Sequence, residues 1–212
     1  ALTTRRIDND CPMIDNNSGC HGRVDIYTMS NGNWSKVGAG ITHPSSGDNE
    51  LFGESISLDG DGSHIAIADP KRGNNNTGRV QVYTWNDSNW VQLGSNIAGN
   101  NNSETGYSID LDYDGSHLVV GSPKNSGNGD NSGRARIYIW TDDSAHWDQV
   151  GSDILGDSGD ESGTSVAIDD DGSHVVIGAP LNGDNGNNSG RARIYSFNGE
   201  DWSQLGLSLI HI

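Results

Sequence analysis

The chain contains few cysteines, prolines and phenylalanines and few basic residues. Among its 212 residues there are two cysteines, five prolines and two phenylalanines, and 12 lysines and arginines stand against 29 aspartates and glutamates. The formal charge of −17 repels the phosphates of nucleic acids and the anionic surface of a membrane, so we expect neither as a partner. No apolar run approaches the roughly 20 residues that cross a bilayer, and we expect no membrane span.

The acidic residues are spread through loops and turns instead of forming a tail. They form either a solvated surface or carboxylates arranged for cations, and composition leaves both interpretations open. Glycine is abundant, with 30 of 212 residues, about twice its usual share of about 7%. It clusters with Asn, Asp and Ser, the residues of turns. Between these clusters lie short β-branched runs such as HIAIAD, HLVVGS and HVVIGA. This pattern predicts an all-β fold.

The sequence repeats itself about every 55 residues. A Gly-Arg pair opens an alternating apolar run four times, and a tryptophan followed by Val-Gly or Leu-Gly closes each unit. The pairs begin at Gly22, Gly78, Gly133 and Gly190, and the tryptophans are Trp34, Trp90, Trp147 and Trp202. Three units also contain the turn sequence DGSH, which ends at His64, His117 and His174. Self-similarity at this period indicates stacked sheet modules.

Each unit contains two strand–turn–strand segments, which predicts four antiparallel strands. Runs such as HLVVGS are apolar at successive positions, so both faces of each sheet must be covered by identical neighbours. We therefore expect a β-propeller-type array of four-stranded blades. Nearly four blades are present, since residues 5–12 align with the second strand of later copies and the first blade lacks its first strand. The array is expected to be a fragment of a larger propeller.

The repeats set the predicted domain boundaries. They are a partial blade at 1–50, blades at 51–104, 105–161 and 162–206, and a tail at 207–212. The tail, Leu207 to Ile212, departs from the repeat pattern and reads as the translation of a common sequencing-library adapter. It is expected to be non-native.

Two half-motifs carry a family resemblance. Phe52-Gly53 and Gly178-Ala179-Pro180 supply the two ends of an FG-GAP signature, with Ala68-Asp69-Pro70 and Gly121-Ser122-Pro123 as weaker copies. The chain resembles FG-GAP repeats, the modules of integrin α-subunit heads and of secreted algal and bacterial repeat proteins. The resemblance implies propeller blades and an extracellular or cell-surface location.

One turn has the pattern of a calcium loop. Asp110, Asp112 and Asp114, followed by Gly115, read D-x-D-x-D-G, in which alternate carboxylates converge on one cation. FG-GAP calcium hairpins add a carboxylate at the ninth position, where this chain has Leu118. The alternative is a turn whose aspartates cap backbone amides. Ca²⁺ is thus a candidate ligand, and no cofactor is required.

The two cysteines and the sequons suggest a secreted protein. Cys11 and Cys20 flank an eight-residue loop between adjacent strands, which favours a disulfide over two free thiols. The pattern Asn-x-Ser/Thr occurs at Asn16, Asn33, Asn75, Asn86, Asn101 and Asn187. These asparagines are glycosylation candidates or, alternatively, ordinary turn residues.

The residues that recur in every copy are interpreted as structural. The DGSH histidines are expected to bond a neighbouring blade, and Arg79, Arg134 and Arg191 to pair with turn aspartates or stack on tryptophans.

Three functions compete. The leading hypothesis is a non-enzymatic extracellular module for adhesion that binds a protein or polysaccharide, with Trp34, Trp85 and Trp140 either stacking on sugars or packing in the core. The second is a structural subunit of a coat or filament that self-associates through blade or edge contacts. The third is a polysaccharide lyase, for which the non-repeating residues His43, Glu50, His146 and Glu200 are scattered.

Overall fold

A computed structural model describes residues 2–7, 22–42, 51–73, 75–206 and 209–210, with the backbone alone for 2–7 and 209–210. Over these ranges the chain is all-β, as predicted, and its strands form four antiparallel sheets in sequence order. None of the described residues belongs to a helix that could span a membrane.

The first sheet contains β1 (Leu2–Ile7), β2 (Gly22–Ser30), β3 (Asn33–Lys36) and β4 (Ile41–Thr42). Its order is β1-β2-β3, and β4 also pairs with β2. The repeat alignment is wrong about the register of β1. It predicts Cys11 opposite Arg23, whereas Arg6 occupies that place. The segment LTTRRI, which forms β1, contains three β-branched residues, and these favour a strand.

The other sheets follow the plan of two hairpins per repeat. The second contains β5 (Ile56–Leu58), β6 (His64–Asp69), β7 (Arg79–Trp85), β8 (Trp90–Gln92) and β9 (Ile97–Ala98). The third contains β10 (Ser108–Leu111), β11 (His117–Ser122), β12 (Arg134–Thr141) and β13 (His146–Leu155). The fourth contains β14 (Ser165–Ile168), β15 (His174–Ala179), β16 (Arg191–Phe197), β17 (Trp202–Gln204) and β18 (Leu209–Ile210).

In the first, second and fourth sheets the outer edge consists of two short strands that pair with the same neighbour: β3 and β4 with β2, β8 and β9 with β7, and β17 and β18 with β16. In the third sheet a single strand, β13, forms this edge and pairs with β12 with one register shift. Residues 209–210 of the predicted tail therefore occupy the place that Ile97–Ala98 has in the second sheet. Whether the tail is native stays a prediction.

Three apolar cores lie between neighbouring sheets. On β11, Leu118 and Val120 pack toward the second sheet, while Val119 packs toward the fourth. A third core joins the first sheet to the second around Val24, Ile26 and Phe52. Both faces of the internal sheets are thus covered, which confirms the prediction from HLVVGS. In the described part of the chain the sheets form an open array of blades, not a closed ring.

Candidate functional site

The repeated tryptophans join adjacent blades. The Trp147 indole Nε1 donates a hydrogen bond to the carbonyl oxygen of Leu93 in the preceding blade at 3.1 Å. Trp202 bonds Val150 in the same way at 2.9 Å. The glycine after each acceptor residue leaves room for an aromatic ring, since a Cβ on Gly94 would overlap the ring of Trp140. This contact explains why each repeat ends in Trp-x-x-Val/Leu-Gly.

The FG glycine, the glycine at the GAP position and the glycine of the Gly-Arg pair lie at a backbone contact between two blades. The backbone of Gly133 forms a parallel bridge with Ser162, and a Cβ on Gly133 would overlap the Ser162 carbonyl oxygen. A Cβ on Gly121 would likewise overlap the backbone of Gly163, whose φ is +85°. A side chain at these positions would push the blades apart, so these positions require glycine because the backbones of two repeats are in contact there.

The DGSH histidines bond their own hairpins. Asp112 Oδ2 lies 2.7 Å from His117 Nδ1, and the Ser116 hydroxyl donates to the same oxygen at 3.2 Å. The hydrogen bond to Asp112 raises the pKa of His117 above 6.5 and outweighs burial, which lowers it. The sequence prediction of a bond to a neighbouring blade is therefore wrong. From the neighbouring blade, Gly172 packs against the imidazole ring, and the charge of Asp171 also raises the pKa of His117.

The three predicted calcium ligands have separate hydrogen-bond partners. Asp110 accepts a bond from Ser57 Oγ at 3.0 Å in the second blade and from the Ile168 amide at 3.1 Å in the fourth. Asp112 bonds its histidine, and Asp114 caps the Ser116 amide at 3.0 Å. Asp110 is therefore a link between three blades. Calcium binding stays a prediction that a thermal melt in millimolar calcium tests, and an unchanged melting temperature discards it.

The DGSH turn of the fourth blade offers a different group of potential ligands. One ligand atom from each of Asp169, Asp171 and His174 lies within 4.8 Å of the others. The two aspartates already bond this turn, since Asp169 contacts His174 Nδ1 at 2.7 Å and Asp171 accepts from the Ser173 amide at 3.0 Å. The group is the same hairpin arrangement seen in the other blades.

The repeated arginines pair with aspartates, but the prediction of turn aspartates is wrong for two of the partners, since Asp69 lies in β6 and Asp153 in β13. Arg134 bonds Asp153 at 3.0 Å, and Arg191 bonds Asp160 at 2.9 Å. Arg79 lies 3.8 Å from Asp69. All three arginines are buried. The pair with Asp160 holds the loop after β13 against β16, whereas the other two pairs join strands of one sheet.

Two equivalent clefts lie between adjacent blades at the outer strands. One has a volume of about 210 Å³ between the second and third blades, and the other about 200 Å³ between the third and fourth. Each is lined by a tyrosine and a tryptophan of the later blade and by four consecutive residues of the earlier one. The linings are Ser95, Asn96, Ile97, Ala98, Tyr138, His146 and Trp147, and Ser152, Asp153, Ile154, Leu155, Tyr195, Asp201 and Trp202.

Polar groups at both clefts are held in place by a repeated glutamine. Gln92 Nε2 donates to Asn96 Oδ1 at 2.9 Å, and Gln149 Nε2 donates to Asp153 Oδ1 at 3.0 Å. Burial opposes ionisation of Asp153, but the bond from Arg136 and the charge of Arg134 outweigh it and lower the pKa. Burial raises the pKa of Tyr138, so its phenol remains a hydrogen-bond donor. The clefts thus combine an aromatic wall with hydroxyl, amide and carboxylate groups.

Sequence reasoning missed these clefts because each is built from two copies of the repeat. The available signal was the polar residue four positions after the glutamine of Trp-x-Gln, at Asn96 and Asp153. Of the lyase candidates, His146 begins β13 and lies in the first cleft, whereas Glu200 lies in the turn before β17. They are on different blades, and His43 and Glu50 lie outside the described residues.

The remaining sequence candidates are placed as follows. Cys11, Cys20 and Asn16 lie outside the described residues, so the disulfide stays a prediction. The other five sequon asparagines, Asn33, Asn75, Asn86, Asn101 and Asn187, are exposed. Their glycosylation also stays a prediction. Trp34 is 47% exposed, whereas Trp85 and Trp140 are partly buried and pack on Trp90 and Trp147.

Residues 151–195, from the end of the third blade through most of the fourth, match the family model described as FG-GAP repeat. This segment is an FG-GAP repeat. It confirms the resemblance drawn from Gly178-Ala179-Pro180, and it contains Gly163, whose backbone meets Gly121 of the preceding blade. No curated protein sequence matches the chain.

Solved structures share the fold at low sequence identity. The chain superposes on a candidate 6-phosphogluconolactonase from Bacteroides fragilis with a TM-score of 0.57 and 11% identity, covering 90% of this chain and 49% of that one. The superposition on the corresponding protein from Bacteroides uniformis has a TM-score of 0.56 and 11% identity, and it covers 90% of this chain and 54% of that one. A third match is the β-propeller domain of the Trilobed protease from Pyrococcus furiosus, which has an open velcro topology. Its TM-score is 0.52 at 11% identity, and the superposition covers 89% of this chain and 49% of that one. The fold is that of a β-propeller, and the chain spans about half the length of these structures.

Proposed function

We propose that the chain belongs to a non-enzymatic extracellular module that binds a neutral polysaccharide in the clefts between its blades. The observation that carries the proposal is the recurrence of one cleft at two successive junctions, each with a tryptophan, a tyrosine and fixed polar groups. Aromatic rings pack on the apolar faces of sugars, and hydroxyl, amide and carboxylate groups bond their hydroxyls.

The size of the clefts favours a polymer over a single small ligand. Each cleft is smaller than the roughly 300–1,000 Å³ of pockets that enclose a drug-sized molecule. One cleft would hold a small part of a chain, and successive blades would add their contacts, which raises the overall affinity without deeper pockets.

The charge of the molecule favours an uncharged polymer. A formal charge of −17 repels uronic-acid and sulfated chains unless cations bridge them. A binding role without catalysis agrees with the repeated histidines, since His64 and His117 each use Nδ1 to bond the aspartate of their own turn. A protein ligand at the same clefts is the alternative occupant.

Affinity electrophoresis of the 212-residue chain tests the proposal. The gels contain mixed-linkage glucan, galactomannan or dextran, with alginate as the polyanionic comparison. We expect at least one neutral polymer, but not alginate, to retard the chain. Asn96→Ala and His146→Ala each remove one polar group from the first cleft and should weaken binding about 2- to 10-fold, the value of one hydrogen bond.

The control is Asp130→Ala, which removes an exposed carboxylate that has no side-chain hydrogen bond and lies away from both clefts. It should leave the retardation unchanged. If no neutral polymer retards the chain, or if the control weakens binding as much as the cleft variants, the proposal fails.

A further inference from the structure

The two clefts share their aromatic wall and differ in their polar groups. The residue between the lining serine and isoleucine is Asn96 in the first cleft and Asp153 in the second. The residue before the lining tryptophan is His146 in the first cleft and Asp201 in the second. An ionised carboxylate only accepts hydrogen bonds, whereas an amide both donates and accepts. These positions therefore decide which atoms of a ligand each cleft binds.

A backbone carbonyl group fixes the orientation of the glutamine beside Asn96. Gln92 Nε2 donates to the Gly94 carbonyl oxygen at 3.1 Å, and a carbonyl oxygen only accepts hydrogen bonds. The amide nitrogen of Gln92 is therefore held toward Gly94 and Asn96. The Gln92 amide oxygen accepts a bond from Gln81 Nε2 at 2.9 Å. Because Gln81 is buried in β7, it holds the Gln92 side chain from the interior of the blade.

The fixed glutamine leaves the amide nitrogen of Asn96 available to a ligand. Gln92 Nε2 donates to Asn96 Oδ1 at 2.9 Å, so the oxygen of Asn96 faces the glutamine. Asn96 is exposed, and in the part of the chain that the structure describes no group accepts a bond from its Nδ2. The first cleft therefore presents a hydrogen-bond donor at this position.

The equivalent position of the second cleft presents an acceptor. Gln149 Nε2 donates to the Gly151 carbonyl oxygen at 3.1 Å and to Asp153 Oδ1 at 3.0 Å, so this glutamine has the same orientation. Although burial opposes ionisation, the bond from Arg136 and the charge of Arg134 lower the pKa of Asp153, which keeps the carboxylate ionised. A ligand oxygen that only accepts hydrogen bonds thus meets a donor in the first cleft and a repelling carboxylate in the second.

We infer that Gln81 and Gln92 are positioning residues that make Asn96 a hydrogen-bond donor, and that the first cleft selects a sugar unit with an acetamido group. This inference rests on the proposed function and narrows it, since an N-acetylated polysaccharide is neutral. A hydroxyl group donates and accepts and so fits both clefts, whereas the acetamido carbonyl oxygen only accepts and fits the first. The acetamido methyl group packs on the aromatic wall of the cleft.

Hydrogen exchange of the side-chain amides, followed by NMR, tests the positioning without a ligand. In the unmodified chain the amide hydrogens of Gln92, which are bonded to Gly94 and Asn96, should exchange more slowly than those of Asn96. Gln92→Glu replaces the donor by a carboxylate, which only accepts hydrogen bonds. Asn96 should then turn its Nδ2 toward the new carboxylate, so its amide hydrogens should exchange more slowly than before and its Oδ1 should face the cleft.

Calorimetric titration tests the selection with two neutral β-1,4-linked tetramers, one of N-acetylglucosamine and one of glucose. The unmodified chain should bind the acetylated tetramer about 5- to 10-fold more tightly, the value of one hydrogen bond. Gln92→Glu should abolish this preference, because Asn96 would then present an acceptor to the acetamido carbonyl oxygen. Asn96→Asp, which copies the second cleft, should abolish it as well.

Gln204→Glu is the matched control. Gln204 Nε2 donates to the Gly206 carbonyl oxygen at 3.0 Å in the same way, but Gln204 lines neither cleft. The control should keep the preference for the acetylated tetramer and the exchange rates of Asn96. Gln92, Asn96 and Gln204 are all exposed, so every variant should melt within a few degrees of the unmodified chain.

A preference that survives Gln92→Glu overturns the inference, as does equal affinity for the two tetramers or a failure to bind either. Unchanged exchange of the Asn96 amide in Gln92→Glu also overturns it. The proposed function is judged separately, because a chain that neutral polymers retard but that does not distinguish the tetramers contradicts only the narrower inference.

Discussion

Two glycines at the same place in successive repeats allow the cost of a blade junction to be measured. Gly133 and Gly190 both have φ of +75°, so an alanine costs each about 1–2 kcal/mol of backbone strain. At Gly133 the new methyl group also overlaps the Ser162 carbonyl oxygen, whereas at Gly190 the nearest described atom is 3.5 Å away. Overpacking costs about 1–3 kcal/mol more, so Gly133→Ala should lose about 2–5 kcal/mol and Gly190→Ala about 1–2 kcal/mol.

Thermal melts followed by circular dichroism measure the difference. A change of 1 kcal/mol shifts the melting temperature of a chain of this size by about 2–4 °C. We expect Gly133→Ala to melt about 2–12 °C below Gly190→Ala. Both variants are measured at the same protein concentration.

Equal melting temperatures for the two variants would refute the reasoning. That result would mean that the blades separate at Gly133 without cost, and that the glycines of the Gly-Arg pairs are needed only for their backbone conformation. A larger loss at Gly190 would refute it as well.

Three further predictions use other contacts. Asp110→Ala removes the carboxylate that links three blades and should cost about 2–3 kcal/mol, measured by urea unfolding, while Asp143→Ala at an exposed turn should cost less than about 0.5 kcal/mol. The raised pKa of His117 stabilises the fold fully below pH 6.5, and this contribution is lost as pH rises through the raised value. Melting temperatures should therefore fall across that window, and less steeply in His117→Gln; an unchanged slope would contradict the assignment. Trp147→Phe removes an indole donor to the preceding blade and should cost about 1 kcal/mol or more in urea unfolding, whereas Trp34→Phe should cost almost nothing.

The sequence predicts the blades because local signals and burial agree in each repeat. In HLVVGS every second residue faces one neighbour and the residues between face the other, so a continuous apolar run requires covers on both sides. The turn signals before His117 and His174 fix where the strands begin. The same reasoning is wrong for β1, where the alignment followed the proline at residue 12, although the strand-forming residues lie earlier.

The sequence does not predict which groups meet across a junction. The hydrogen bond from Ser57 to Asp110 joins residues 53 positions apart, and a residue in one repeat has no local relation to its partner in another. For the same reason the clefts cannot be predicted from a single repeat, since Asn96 and His146, which line the same cleft, come from different copies. The partner of His117 lies within its own repeat, since Asp112 is only five residues away. Here the prediction of a bond across blades is wrong because the local partner is nearer.

The contact at the FG-GAP glycines has a consequence for how such genes change length. The residue before the glycine is Phe52, Thr105 or Ser162 in successive repeats, and it reaches the preceding blade through its main chain. This part of the junction therefore does not depend on which repeat follows. Unequal recombination that inserts or removes one unit of about 55 codons would keep this backbone contact at the new boundary, whereas side-chain links such as the bond from Ser57 to Asp110 would depend on the repeats that meet.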